Sequence, residues 1–519
     1  MPDSPDDTSP VVAAGQSPPP EAATQETAQK ATVQGKAVRG AQVLGLRTVV
    51  SVILRIVSSL TLARFLTKED FGIFGIISGI VGIGLFLCEF SLNSVLIAQK
   101  EEPEPDETAT VFWMQQAISL VIVTVVTLMS SWILHLYKVE QSQILMLCIG
   151  IAALFLVTLR SVPGAMMERH LNFEPLARAE VAENIAQIVF SLGFAIAGFG
   201  AWSLMISFIV ARLVGMVIVR ASSDWSLTGR FRWETARLLM HKAIRFQANH
   251  IVAISLSSLS SLIISRTTGV AGYGLLTWSA NIASAPSMLV NMINRVALPA
   301  MSRLQEDPAE VGRVTGRTVR RIVTIMGLVV APLAIVAPFF LPLIFGEEWR
   351  PAIVLFQWNT SEIVLASASG ILVQTMIAME LLKARTVIVL ISGVLRICLV
   401  YGGVKLFGVE GIAGGCYCAS LLELLILAYY VRRTIPGTET IWRDTFAPLA
   451  RVQGTLFITM LISRFLLTQP SQILIHTVCE LALYAILVAV AELLSPRRPI
   501  LAELAGIWNM LRARRVASS

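Results

Sequence analysis

Three arginines lie near the middle of long apolar segments: Arg55, Arg212 and Arg396. An arginine at the centre of a membrane-spanning helix costs about 2.5–3.5 kcal/mol on insertion scales, so water, a partner or a ligand has to compensate it. Arg47 precedes Arg55 by two helical turns, which places both on one polar face. Because guanidinium groups bind anionic groups through two parallel donors, these arginines are candidates for binding an anionic ligand, with Arg55 and Arg396 first.

Acidic and His residues also fall within apolar segments: Glu89, Glu183, Glu362, His250, His476 and Glu480. Buried carboxylates can change charge as their surroundings change, so they are candidates for coupling to a proton or sodium gradient, with Glu183 first. The alternative is that the arginines and carboxylates form ion pairs with each other inside the protein, Arg212 with Glu183 and Arg396 with Glu362.

The segments that hold these residues predict an all-α polytopic membrane protein. The chain has 519 residues, of which 55% are hydrophobic and 14% charged, and its mean hydropathy is +0.71. Its apolar segments of about 18–25 residues match the thickness of a bilayer, in which a spanning segment has to be a helix. We predict about fourteen spans, at residues 42–63, 71–93, 110–134, 143–161, 175–197, 201–219, 246–266, 272–295, 321–344, 353–378, 386–404, 409–431, 449–467 and 472–493.

The tails and loops predict the orientation of these helices. Residues 1–37 are rich in Pro, Ser, Thr and Gln and contain no aromatic residue, which predicts a disordered tail. Lys and Arg are concentrated in alternate loops and in the basic tail 496–519, so both termini are predicted to be cytoplasmic and every external loop is short. The net charge of +7 therefore predicts a cytoplasmic face and not a nucleic-acid partner.

Two short patterns occur twice in the chain. LARFLTKEDFGIFG is followed 202 residues later by ISRTTGVAGYGLLT, which aligns Arg64 with Arg266 and the pair Phe71–Gly72 with the pair Tyr273–Gly274. FGAWSL and FGVEGI are related in the same way at an offset of 208 residues. The repeats predict a duplicated block of six helices, and the alternative is a chance similarity between apolar segments. The predicted organisation is a first block at 38–220, an amphipathic linker at 221–245, a second block at 246–433 and two further spans at 434–495.

Parallel repeats of this kind are typical of alternating-access transporters, whose ligand site lies between the two blocks. Arg64 and Arg266 then lie at the outer ends of helices, where we expect them to act as a periplasmic gate or as anchors to lipid head groups. The alternative is that they guide an anionic substrate outward. The linker helix WETARLLMHKAIR is expected to lie flat in the membrane surface, with partner binding as the alternative.

Several of these motifs resemble the polysaccharide-type flippases of the multidrug/oligosaccharidyl-lipid/polysaccharide exporter superfamily. They are LARFLTKEDFG, CEFSLNSVLIAQ with Glu89 in the acidic position, ALPAMSRLQED and FGEEWRPA, and the similarity covers roughly residues 40–495. Lys68 stands where the family often has Pro. SLSSLSSL, at residues 255–262, has only hydroxyl side chains where many relatives have charged or amide groups, so no ion or substrate role is carried over to it.

The resemblance implies export of an undecaprenyl-pyrophosphate-linked oligosaccharide across a bacterial inner membrane, for exopolysaccharide, capsule or O-antigen. Arg55, Arg396, Arg212 and Arg47 would then bind the pyrophosphate. The implied partners are this glycan lipid and the bilayer, with polysaccharide polymerase and chain-length proteins as further candidates. The alternatives are a flippase for the peptidoglycan precursor lipid II and, with less support, a cation-coupled drug exporter.

The motifs of enzymes and cofactor sites are missing from the sequence. It has no GxxxxGK[ST] phosphate loop, no HExxH and no metal-spaced Cys/His cluster, so we expect no cofactor and no metal. A membrane-bound polysaccharide polymerase or ligase would hold its catalytic residues in a large external loop, and the short external loops argue against one. A structural scaffold would not need the charged residues within the spans.

Overall fold

The computed structural model describes residues 61–89, 92–98, 102–170, 172–287, 304–466 and 473–493, with residues 290, 293, 297 and 301. Its α-helices are α1 Lys68–Glu89, α2 Leu92–Ala98, α3 Pro105–Leu128, α4 Ser130–Tyr137, α5 Ile144–Ala152, α6 Leu154–Arg169, α7 Glu174–Ile196, α8 Ala201–Ala221, α9 Trp233–Ala283, α10 Pro308–Phe345, α11 Ala352–Ala378, α12 Leu382–Phe407, α13 Glu410–Thr434, α14 Ile441–Leu449, α15 Thr455–Leu466 and α16 Ile473–Leu493. Every regular element in these ranges is helical, as predicted.

Within these ranges, twelve helical segments are long and apolar enough to cross a membrane. They correspond to the predicted spans with two differences. Most of the first span, 42–63, lies outside the described residues, and the seventh and eighth spans form the single long helix α9. Gly269 divides α9 with φ 74° and ψ 177°, between the two predicted spans. The fold is therefore the predicted all-α polytopic membrane fold.

The second repeated pattern has the same backbone conformation in both copies. Gly200 precedes α8 with φ 52° and ψ −135°, and Gly408 follows α12 with φ 63° and ψ −142°. Only glycine adopts this region readily, because a Cβ would clash with the backbone. The two helices that meet at each turn, α7 with α8 and α12 with α13, also make the two most extensive helix–helix contacts described. The boundaries of the two blocks stay predictions.

Asp70, the second acidic residue of the TKEDFG pattern, caps helices. Thr67 and Asp70 form a capping box at the start of α1: the Asp70 carboxylate accepts from Thr67 N at 2.9 Å, and the Thr67 hydroxyl accepts from Asp70 N at 3.2 Å. The other Asp70 oxygen accepts from Ala201 N at 2.8 Å, at the start of α8. One carboxylate therefore caps two helices and joins the two repeated patterns of the first block.

We expect Asp70→Ala to lower stability by about 1–3 kcal/mol, because a lost cap costs up to about 2 kcal/mol and two helix starts lose their acceptor. Thermal unfolding of the purified protein in detergent measures the change. Glu69→Ala is the matched control, since it removes a neighbouring carboxylate from the same first turn. Equal unfolding temperatures for the two variants would contradict the double-cap interpretation.

The predicted surface helix is not a separate element. Trp233–Arg245 is the first part of α9 and continues without a non-helical residue until Gly269. Its apolar face, with Ala236, Leu239 and Ala243, packs against α2 and α3 in one buried cluster. The expected separate lateral helix is therefore the first part of α9, and its position relative to the membrane surface stays a prediction.

Candidate functional site

The two copies of the first repeated pattern lie against each other. A Cβ on Gly72 would collide with the carbonyl oxygen of Val270, and a Cβ on Gly274 would collide with that of Lys68. Gly72 therefore contacts Val270, which lies four positions before Gly274 in the chain. Gly274 in turn contacts Lys68, which lies four positions before Gly72. This reciprocity is what a two-fold relation between the repeats produces, and it lets α1 and α9 approach at backbone distance.

Arg64 and Arg266 extend the same reciprocal contact. Arg64 Nε donates to the carbonyl oxygen of Ile344 at 3.0 Å, in the last turn of α10, and Arg266 Nε donates to that of Leu136 at 2.8 Å, in the last turn of α4. The arginines are 202 residues apart and their acceptors 208, the offsets of the two repeated patterns. A cation at a helix C-terminus also interacts favourably with the helix dipole.

We call this assembly the outer contact: Arg64, Gly72, Arg266 and Gly274 with the helix ends that they touch. Trp349, from the FGEEWRPA motif, packs against the outer contact. Its indole N–H donates to the carbonyl oxygen of Ala63 at 3.2 Å, and its ring lies 5.5 Å from Phe71 and 4.3 Å from Trp278 between centroids. The contact closes this end of the protein between the two predicted blocks. Gate or anchor roles for the arginines stay predictions.

An exposed ion pair flanks Trp349. Arg350 donates to Glu347 through Nε at 2.6 Å and through the guanidinium nitrogen Nη2 at 2.9 Å. These hydrogen bonds lower the pKa of the Glu347 carboxyl below its usual range. Because both side chains are more than half exposed, the pair contributes little to stability.

We expect the double variant Arg64→Gln/Arg266→Gln to increase hydrogen exchange at the start of α1 and at the Gly269 turn of α9. Each arginine contributes a charge-assisted hydrogen bond of about 1.5–3 kcal/mol, and both bonds have to break when this end opens. Exchange measured by mass spectrometry reports the opening. The exposed Arg350→Gln is the control, and unchanged exchange in the double variant would show that the arginines do not hold this end closed.

Toward the opposite ends of the helices, α2, α6, α7 and α8 enclose a cavity of about 510 Å³. We call it the N-terminal cavity. Arg160, Glu183 and Arg212 lie on its wall as one ion cluster: the Glu183 carboxylate contacts Arg160 through one oxygen, and its other oxygen accepts from Arg212 at 2.9 Å. The cavity's other polar lining residues are Asn93, Ser161, Glu168 and Glu180.

The cluster has more positive charge than its own carboxylate can neutralise. Two guanidinium groups share one carboxylate, and Arg212 Nε is buried without a hydrogen-bond partner among the described residues. Gly215 makes room for the cluster, because a Cβ there would collide with Glu183 and Arg160. The pair Arg212–Glu183 is therefore present, as the pairing alternative predicts, but it belongs to a three-membered cluster that borders open space.

A second ion cluster lies between α11, α12 and α13. Arg396 on α12 donates to Glu362 on α11 at 2.8 Å and to Ser420 on α13 at 2.6 Å. Ser420 in turn donates to Glu362 at 2.6 Å. In the predicted repeat these helices are the counterparts of α6, α7 and α8, but the charged positions do not coincide. Glu362 follows Arg160 by 202 residues and Arg396 follows Glu183 by 213, whereas the neighbouring turns are offset by 208.

The structure places the remaining predicted residues as follows. Arg47 and Arg55 lie outside the described residues. Glu89 ends α1, and its side chain is also outside the described part. Arg160 is the functional candidate that sequence reasoning misses, since the predicted span ends at residue 161 whereas α6 continues to Arg169. The apolar run LFLVTL before Arg160 and the helix-compatible residues after it are the signal that could have revealed it.

A smaller cavity of about 220 Å³ lies between α1 and the first half of α9. Its polar lining consists of hydroxyl groups, from Ser257, Ser258, Ser261, Tyr137 and Tyr273. Gly79 and Gly82 face open space on the opposite wall. This is the serine-rich segment in which the sequence departs from the expected charged residues, and none of the described lining residues of the cavity is charged.

The chain is similar to known proteins of polysaccharide biosynthesis. It is 24% identical over 344 residues to the lipopolysaccharide biosynthesis protein WzxC of Escherichia coli (strain K12), covering 63% of this chain and 66% of that protein. It is 22% identical over 303 residues to the succinoglycan biosynthesis transport protein ExoT of Rhizobium meliloti (strain 1021), covering 58% and 60%. The matches therefore span less than two thirds of either relative.

Solved structures show the same fold. The lipid II flippase MurJ in an inward closed conformation superimposes with a TM-score of 0.65 at 14% identity, covering 86% of this chain and 98% of that one. An inward-facing multidrug resistance MATE family transporter of the MOP superfamily gives 0.61 at 12% identity, covering 74% and 94%. The family model described as "Polysaccharide biosynthesis protein" matches residues 61–354, more than half of the chain. The chain belongs to this family of polysaccharide biosynthesis proteins.

Proposed function

We propose that this protein is an alternating-access flippase that moves undecaprenyl-pyrophosphate-linked oligosaccharide units across the bacterial inner membrane. The units would serve exopolysaccharide, capsule or O-antigen synthesis, with both termini of the protein in the cytoplasm. The protein then acts as a transporter and not as an enzyme. WzxC and ExoT, whose names tie them to lipopolysaccharide and succinoglycan biosynthesis, support this assignment.

One observation carries the proposal: the protein is closed at one end by the outer contact and has a charged cavity toward the other. The cavity residues Glu168, Phe173 and Val219 lie at or near the helix ends opposite the outer contact. A membrane protein that only filled the bilayer would not keep two arginines and a carboxylate beside open space, because buried charge is costly without a ligand or water. A hydrophilic head group that loads from the cytoplasm needs such an arrangement.

The ion cluster of the N-terminal cavity suits recognition of the pyrophosphate. The diphosphate would compete with Glu183 for Arg160 and Arg212, because guanidinium groups bind phosphate through parallel donors. Arg47, Arg55 and Arg396 would contribute further positive charge to the path. Glu168 and Glu180 also line the cavity, which gives its two arginines and three glutamates a net formal charge of −1, so binding depends on displacing Glu183 and the head group can leave again.

Glu183 and Glu362 remain the proposed coupling residues of the described part, with Glu89 as a third candidate. Each of the first two accepts from an arginine in its ion cluster. Protonation of either carboxylate would release the arginine for the substrate, which links a proton gradient to binding. Transport rates that do not change when the proton and sodium gradients are collapsed separately would remove this coupling.

Reconstituted transport tests the function directly. Vesicles containing the protein and a lipid-linked oligosaccharide are treated with a membrane-impermeant glycosidase, and we expect the protein to expose the inner-leaflet glycan to the enzyme. A deletion strain is expected to remain viable, to lose its surface polysaccharide and to accumulate the lipid-linked unit. No protein-dependent exposure of glycan in vesicles would overturn the proposal.

The fold similarity to MurJ favours one further candidate function, transport of lipid II. The same experiments separate the two. A lipid II flippase would expose lipid II and not the oligosaccharide lipid in vesicles, and its loss would stop cell-wall growth instead of surface polysaccharide.

A further inference from the structure

An apolar groove of about 800 Å³ runs between α3 and the start of α9. Trp113, Met114, Ala117 and Ile118 form one wall on α3. The other wall is formed by Phe231, Trp233, Leu238, Met240 and Ile244, at and after the start of α9. Almost all of the lining surface is apolar, in contrast with the N-terminal cavity.

The walls of the groove are large side chains that the protein leaves uncovered. Trp233 is 75% exposed, Leu238 55% and Trp113 49%. In a membrane protein, exposed tryptophans mark the level of the lipid head groups, and an apolar groove between helices takes up hydrocarbon chains. The groove therefore fits a lipid chain that enters from the head-group level.

The position of the groove relates it to loading. α3 belongs to the first predicted block, whereas α9 leads into the second, so the groove lies at the seam between them. The segment before α9 is fastened to the start of α3: Arg232 pairs with Asp106 at 2.7 Å, and Trp225 Nε1 donates to Thr108 at 3.1 Å. These contacts lie at the same ends of the helices as the N-terminal cavity and opposite the outer contact.

The rim of the groove carries positively charged side chains, which a phosphate head group requires. Arg237 and His241 line it together with one acidic residue, Glu234. Arg230 is exposed in the adjoining segment. The arginines place positive charge beside the apolar walls, as expected for a lipid with a phosphate at the end of its chain.

We propose that this groove holds the polyprenyl chain of the lipid-linked substrate during cytoplasmic loading, with the phosphate next to Arg237. The proposal rests on the proposed function, and it adds the place where the tail stays in contact with lipid while the head group enters the protein. A single groove accepts one chain, and a polyprenyl phosphate has one chain where a phospholipid has two.

Photo-crosslinking in vesicles tests the groove. A benzophenone amino acid replaces Leu238 in the groove or, as control, Leu128, which is 80% exposed at the other end of α3. The vesicles contain undecaprenyl phosphate or phosphatidylglycerol at equal mole fraction. We expect several-fold more labelling of undecaprenyl phosphate than of phosphatidylglycerol at position 238 and no preference at position 128. Equal labelling of both lipids at position 238 would overturn the proposal and indicate a general lipid contact.

Two variants test whether the groove and Arg237 bind the lipid. Ala117→Trp fills the groove from its exposed α3 wall, and Arg237→Gln removes the proposed phosphate contact; each is expected to lower labelling at position 238 several-fold. Full labelling in both variants would contradict the proposed binding mode. Because labelling needs only polyprenyl phosphate and no transport, it can fail while glycan exposure in vesicles succeeds, or the reverse, which separates this inference from the flippase function.

Discussion

Replacement of Glu183 by Gln is expected to abolish transport and to destabilise the protein by up to about 3–5 kcal/mol, the cost of breaking a buried ion pair. Gln keeps the shape of the side chain but leaves Arg160 and Arg212 without their shared carboxylate. Of the carboxylates that line the cavity, only Glu168 and Glu180 then remain beside the two guanidinium groups. Thermal unfolding in detergent and glycan exposure in vesicles measure the two effects.

The exposed Glu348→Gln is the matched control, because it removes the same charge outside the cavity. Gly215→Ala tests the same cluster without removing any charge, since its Cβ would displace Glu183 and Arg160. Loss of transport is expected in Glu183→Gln and Gly215→Ala and not in the control. Wild-type transport by Glu183→Gln would exclude a functional role for the cluster.

Introduction of one methyl group at Gly274 is expected to hold the outer end open and to stop transport. The Cβ would collide with the carbonyl oxygen of Lys68, which belongs to helical backbone and cannot rotate away. Overpacking costs about 1–3 kcal/mol. A penalty of that size changes the ratio of closed to open protein by roughly 5- to 150-fold. Hydrogen exchange at the starts of α1 and of the second half of α9 measures the opening.

Gly72→Ala is expected to act in the same way, because its Cβ would meet Val270 from the opposite side of the contact. Gly79→Ala is the control on the same helix, since a Cβ there meets no atom within 4 Å. If all three variants exchanged and transported alike, the glycine crossing would not be part of the gate.

The membrane fold could be predicted because the bilayer restricts backbone structure before any tertiary contact forms. Spans of apolar residues have to be helices, and their ends follow from Gly, Pro and charged residues. The two repeated patterns were predictable for a related reason: glycines such as Gly200 and Gly408 are required locally by a positive φ, so the sequence records the turn. The amphipathic pattern of Trp233–Arg245 predicts a covered face, but it does not reveal that the helix continues into the next span without a break.

Apolar segments, charged residues within them and repeated motifs can all be read from the amino-acid sequence, and together they predict a helical membrane protein. The contacts of those residues are seen only in the folded structure. The folded structure places Arg64 and Arg266 on helix ends of the other predicted block. It adds Arg160 to the pair of Glu183 and Arg212. It also pairs Arg396 with Glu362 and Ser420. A hydrophobic pattern depends on residues that are close together in the chain, so the sequence reveals it. An ion pair between helices depends instead on the depth and rotation at which distant segments pack.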